Sequence, residues 1–141
     1  MAIGSVVLTP GSAYAVAGAL DLATDEPPEA EWTARTALSI AAASPAAPLL
    51  LVFTGTAAAQ APFVGFAQRS ARRAVGGYVL VDPVLPRPGA VSDWPDAPVT
   101  VIVTAAADED TRSAALGARL RGWEILEGDA SALITEIAGR P

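Results

Sequence analysis

At 141 residues, 52% of them hydrophobic and 17% charged, the chain is long enough for one domain (1–141) with a sizeable core and too short for two, and its composition is that of an ordered globular protein. It holds no cysteine and no histidine, and its nine basic residues are all arginine, which excludes disulfides, thiolate and imidazole chemistry, Ser-Lys dyads and Schiff bases. With a net charge of −6 it also lacks the basic face that nucleic acid requires.

The chain opens on Met1-Ala2-Ile3-Gly4, without a basic region, and runs straight into an apolar segment. No signal peptide is read there, and a cytoplasmic location is expected. Ser5 to Thr9 is the first strand-like run. The next, Leu49 to Thr54, follows a helical stretch from Glu29 to Ser44, where Ala34, Leu38, Ala41 and Ala42 recur at helical spacing and Glu31 and Arg35 form an i,i+4 pair. A second helix is predicted over Thr56 to Arg73, with Pro62 near its start and Arg69, Arg72 and Arg73 at its end. The three arginines complement the helix dipole, and the alternative for them is a phosphate site.

Gly77 to Asp82 is the third strand. The segment Pro83 to Pro98, with Pro86, Pro88, Gly89, Asp93 and Pro95, is too irregular for a helix and is predicted as a loop. Val99 to Thr104 is a strand, Asp108 to Arg121 a helix with an acidic first turn and Arg119 and Arg121 at its end, Trp123 to Leu126 a strand, and Asp129 to Ala138 the last helix. Most strand runs are continuously apolar rather than alternating, as strands buried on both faces of a parallel sheet are. The order predicts an α/β domain with a mostly parallel sheet of about five strands flanked by helices. No apolar run reaches the length of about 18 residues that a membrane span needs, so no membrane partner is expected.

Several segments resemble the α/β-hydrolase superfamily. Val6-Val7-Leu8-Thr9-Pro10-Gly11-Ser12 looks like that fold's early strand and oxyanion loop. Pro48 to Ala58, followed by Pro62, sits where the family carries its strand, nucleophile elbow and helix. Gly77 to Gly89, Asp93 to Pro98 and Gly122 to Asp129 extend the likeness over most of the chain. The resemblance implies a truncated α/β-hydrolase-like fold with no lid domain. The departures are chemical. The elbow needs a serine on a strained turn, and Gly55 stands there, preceded by Thr54. The family's catalytic histidine aligns with Ala130, and the acid position survives as Asp108. A Ser-His-Asp hydrolase is therefore excluded. The region from Ser12 to Asp21 compresses a helix and a strand; an edge left open beside the first strand would favour a homodimer.

The remaining candidates are weighed against plainer roles. Thr54 and Thr56 flank the former nucleophile position; they are candidate nucleophiles or ligand donors, or else they cap the helix that follows. Gly11 and Ser12, together with the amide of Thr56, could offer backbone N–H groups to an oxyanion, or the Pro10-Gly11-Ser12 segment could form a plain turn. Asp108, Glu109 and Asp110 could do acid–base work or hold a cation, or form a solvated helix start, and Asp129 reads as an N-cap. Asp82 ends a strand at the crevice, for ligand contact or for turn formation. Trp32, Trp94 and Trp123 could line an apolar pocket, Trp94 foremost, or pack in the core. Nothing predicts a metal site, and no G-x-G-x-x-G or P-loop lysine suggests a nucleotide cofactor. Two functions follow from the resemblance. One is a catalytically degenerate protein that binds an acyl group, a small hydrophobic ligand or a protein partner in the former active-site crevice. The other is a triad-independent acyl-transfer or cyclisation enzyme acting on an activated thioester in natural-product biosynthesis.

Overall fold

The computed structural model describes residues 2–84, 94 and 96–141. Six strands form one all-parallel sheet: β1 (Ser5–Leu8), β2 (Leu20–Asp21), β3 (Leu49–Thr54), β4 (Val75–Val81), β5 (Val99–Val103) and β6 (Glu124–Glu127), in spatial order β2-β1-β3-β4-β5-β6. The helices are α1 (Trp32–Ala43), α2 (Ala61–Ser70), α3 (Glu109–Ala118) and α4 (Ala130–Ala138), with 3-10 turns leading into α1 and α2 and closing α3. The predicted α/β class is the observed one.

The sheet has one strand more than the five apolar runs. β2 pairs through Val7↔Leu20 and Leu8↔Asp21 alone. Two residues, one of them an aspartate, carry no apolar periodicity, so the strand is invisible to pattern reading. It pairs with β1 where an unpaired edge was expected, and is itself the edge of the sheet on that side. Of the loop positions, Pro86, Pro88, Gly89, Asp93 and Pro95 lie outside the described residues.

Burial explains why the strand sequences are apolar without alternation. Val7, Leu49, Leu51, Phe53, Tyr78, Leu80, Val101 and Val103 face α1, α2 and α3 in one buried cluster. Val6, Leu8, Leu50, Val52, Val79, Val81 and Ile102 face the other way, against Ala130, Ile134 and Ile137 of α4. Three helices thus cover one face and a single helix the other. The crossover from β1 to β2 contains no helix, and its Tyr14, Val16 and Ala19 pack on the α4 face instead. The helix ends follow local chemistry. Pro62 lies in the first turn of α2, where its missing N–H costs nothing. Asp108 and Asp129 accept the backbone N–H of Thr111 and Ala132, so both are N-caps.

The chain leaves β1 outward to β2 and then returns past β1 to β3. The reversal makes the gap between the C-terminal ends of β1 and β3 the topological switch point, where open α/β sheets bind ligands.

Candidate functional site at the switch point

Thr54 ends β3 with its side chain on the α4 face, since Leu50 and Val52 face that way and strand side chains alternate. Its hydroxyl makes no cap to the following turn. Instead Thr54 Oγ1 lies 2.8 Å from Ser12 Oγ and 2.9 Å from Tyr14 Oη. The capping role expected for Thr54 is therefore not its role. Capping would need the hydroxyl to turn toward the helix axis, and strand geometry sends it to the β1 loop. Beneath this chain, Thr9 donates both its N–H and its hydroxyl to Val52 O, at 3.2 and 2.6 Å. Ser12 Oγ approaches the same carbonyl at 3.3 Å. Thr9 and Ser12 are fully buried, whereas Thr54 and Tyr14 are half-buried.

The loop that brings Ser12 and Tyr14 here is tied down along its length. Gly11 N–H donates to Ala23 O at 3.2 Å and Ser12 N–H to Thr9 O at 2.9 Å. Ala15 N–H donates to Ser131 Oγ in the first turn of α4 at 3.0 Å. Of the three amides expected to face an oxyanion, those of Gly11 and Ser12 are thus spent on backbone carbonyls.

Asp82 continues β4 with a positive φ of 44°. Its carboxylate accepts Thr104 N–H at 2.8 Å and the Thr104 hydroxyl at 2.5 Å, locking the ends of β4 and β5 together. Burial raises the pKa of Tyr14 above the ordinary tyrosine value; the hydrogen bond from Thr54 opposes this, and the nearby Asp82 charge adds to the rise. Tyr14 is accordingly a neutral hydroxyl at physiological pH, with a carboxylate close by. No sequence motif singles it out, because its role comes from a loop laid across the sheet.

The turn after Thr54 begins at Gly55, where the resemblance led a nucleophile elbow to be expected. Gly55 has φ +60°, and a Cβ built there meets open space. Thr56 is exposed and points to the opposite side of the turn. With Pro27, Glu29, Trp32, Ala57 and Gln60 it lines a cleft of about 310 Å³, near the lower bound for small-molecule pockets. The two threonines that flank Gly55 thus separate, one into the hydroxyl chain and one into the cleft.

The other candidates lie elsewhere. Asp108 is fully exposed and accepts Thr111 N–H at 2.7 Å, which lowers its pKa. Among the described residues no three carboxylates are grouped to hold a cation. Trp94 packs edge-on to both Tyr78 and Trp123, with ring centroids 5.6 and 4.8 Å apart, on the face covered by α1, α2 and α3. It is a packing residue, away from the hydroxyl chain on the α4 face. Its indole N–H lies near the Tyr78 hydroxyl without reaching hydrogen-bond geometry. The arginine run disperses: Arg69 pairs with Asp96 at 3.3 Å and Arg73 donates to Gln68 Oε1 at 2.9 Å. Among the described residues no helix is long and apolar enough to cross a membrane. Comparison with protein-family models, with curated proteins and with solved structures finds no match to this chain.

Proposed function

We propose that this chain is a catalytically degenerate α/β-hydrolase-like protein that holds an acyl group or small hydrophobic ligand over the turn at Gly55, without cleaving it. The observation that carries the reading is the backbone of that turn. A nucleophile elbow places its residue on a sharp strand-to-helix turn, and Gly55 stands on the turn after β3 at φ +60°, a left-handed backbone that glycine adopts freely, with no side chain to attack with. The space above it is open. The hydroxyl chain flanks it on one side and the Trp32 cleft on the other.

The hydrogen-bond partners of Thr54 support binding over catalysis. A threonine nucleophile needs a base, and Thr54 Oγ1 is bonded to two hydroxyls, neither of which is basic at neutral pH. The alternative, acyl transfer driven by an oxyanion hole, would draw on the amides of Gly11, Ser12 and Thr56, and the first two already donate to backbone carbonyls. The test is intact mass spectrometry, native and denaturing, after incubation with a mixture of acyl thioesters and small esters. An adduct seen only under native conditions is expected, with ester hydrolysis no faster than in buffer. An adduct that survives denaturation, or turnover lost in Thr54→Ala, would overturn the binding reading, and complete absence of adducts would replace it with a protein partner.

A further inference from the structure

The three hydroxyls at the switch point have one proton each, and the carbonyl beneath them decides which way those protons point. Val52 O is approached by three donors: Thr9 Oγ1 at 2.6 Å, Thr9 N at 3.2 Å and Ser12 Oγ at 3.3 Å. A carbonyl oxygen has two lone pairs. Thr9 provides the two shorter contacts, so the Ser12 contact is the surplus one. Ser12 has a better acceptor in Thr54 Oγ1, 2.8 Å away. If Ser12 donates to Thr54, the Thr54 proton goes to Tyr14 Oη at 2.9 Å. The Tyr14 proton is then left over, at the half-buried end of the chain. Each bond polarises the next, which makes the terminal hydroxyl a stronger donor than an isolated tyrosine.

We propose that Tyr14 Oη is the hydrogen-bond donor that receives the carbonyl oxygen of the ligand, in place of the backbone oxyanion hole, and that the ligand carbonyl belongs to an uncharged acyl derivative such as a thioester or ester. The inference rests on the acyl-binding reading and adds to it the atom that recognises the acyl group. Three observations converge. The chain ends at the switch point of the sheet, between β1 and β3, where this architecture places ligands. Two of the three amides that would otherwise bind the carbonyl, those of Gly11 and Ser12, are consumed. The Asp82 carboxylate is close enough to Tyr14 to disfavour negative charge there, which favours a neutral carbonyl over a carboxylate. Both Asp82 oxygens already accept from Thr104.

The experiment compares two probes that differ only in a carbonyl, S-methyl hexanethioate and its sulfide counterpart, hexyl methyl sulfide. Their binding to wild type and Tyr14→Phe is followed by NMR titration. Loss of one neutral hydrogen bond predicts thioester binding weakened about three- to tenfold in Tyr14→Phe, with sulfide binding unchanged. Equal weakening of both probes, or of neither, overturns the role of Tyr14 and leaves acyl binding standing. Failure of wild type to bind either probe overturns both. A second measurement needs no variant. The infrared stretch of a carbon-13-labelled thioester carbonyl should fall on binding to wild type, and a frequency typical of apolar solvent would overturn the proposal even if Tyr14→Phe failed to fold.

Discussion

The hydroxyl of Tyr78 is packed so closely against α2 that a Cβ at Gly65 would lie 1.9 Å from it. That hydroxyl donates to Asp96 Oδ1 at 2.7 Å, and Asp96 also pairs with Arg69 of α2. Gly65→Ala should therefore overpack the site and destabilise the protein by about 1–3 kcal/mol, read from the denaturant midpoint. Tyr78→Phe should cost about 1.5–3 kcal/mol through its lost bond to a carboxylate. The two should be less than additive, because the atom nearest the new methyl group is the hydroxyl that Phe lacks. Gly55 is the opposite case, with open space and a left-handed backbone. Gly55→Ala should lose about 1–2 kcal/mol from backbone strain alone, and Gly55→Asn less, since asparagine tolerates that region. A smaller loss for alanine than for asparagine in equilibrium unfolding would show that strain is not the cause.

Among the elements, α4 is the most exposed to mutation, because among the described residues it is the single helix on its face of the sheet. Ile134 and Ile137 share one buried cluster with Val6, Leu8, Leu50, Val52 and Ile102, and Ile134 is fully buried. Ile134→Ala should cost about 2–5 kcal/mol in equilibrium unfolding. Asp129→Ala should cost about 1 kcal/mol through loss of the bond to Ala132 N–H. The same helix anchors the β1–β2 loop through Ser131. Loosening α4 should therefore also increase hydrogen exchange at the amide of Ala15, whereas the amides inside β3 and β4 keep their protection. All four helices were legible in the sequence, α1 from its apolar spacing, α2 from its closing arginines, α3 from its acidic first turn and α4 from the cap at Asp129. β2 was not, since two residues paired at an edge leave no pattern.

For the molecule as a whole, buried Tyr78 and half-buried Tyr14 set the alkaline limit. Burial raises the pKa of Tyr14 and of Tyr78; in Tyr78 the bond to Asp96 and its charge add to the rise, against smaller opposition from Trp94 and Arg69. Both hydroxyls hold their protons more tightly folded than unfolded. Their contribution to stability is fully present below the unfolded tyrosine value of about 10 and is lost as pH rises from there through the folded values. Urea midpoints should be flat between about pH 8 and about pH 10 and fall beyond. Tyr78→Phe should flatten that fall, and an equally steep decline in the variant would remove Tyr78 from the explanation.

The sequence by itself determined the fold class, the strands of the sheet interior and the exclusion of a Ser-His-Asp mechanism. Those follow from composition and from patterns within single elements: continuous apolar runs, helical spacing, and the absence of histidine, cysteine and lysine. It also singled out Ser12, Thr54, Gly55 and Asp82, because each sits at a strand end or turn. What these residues do was decided by tertiary structure. Thr54 reads locally as a cap, yet a loop from β1 supplies it with Ser12 and Tyr14, some forty residues away in the chain. Trp94 reads as a pocket wall and is a packing residue between two other rings. Tyr14 carried no local signal at all. Hydrogen bonds between distant strand ends depend on register, strand order and loop path, and those are properties of the assembled sheet.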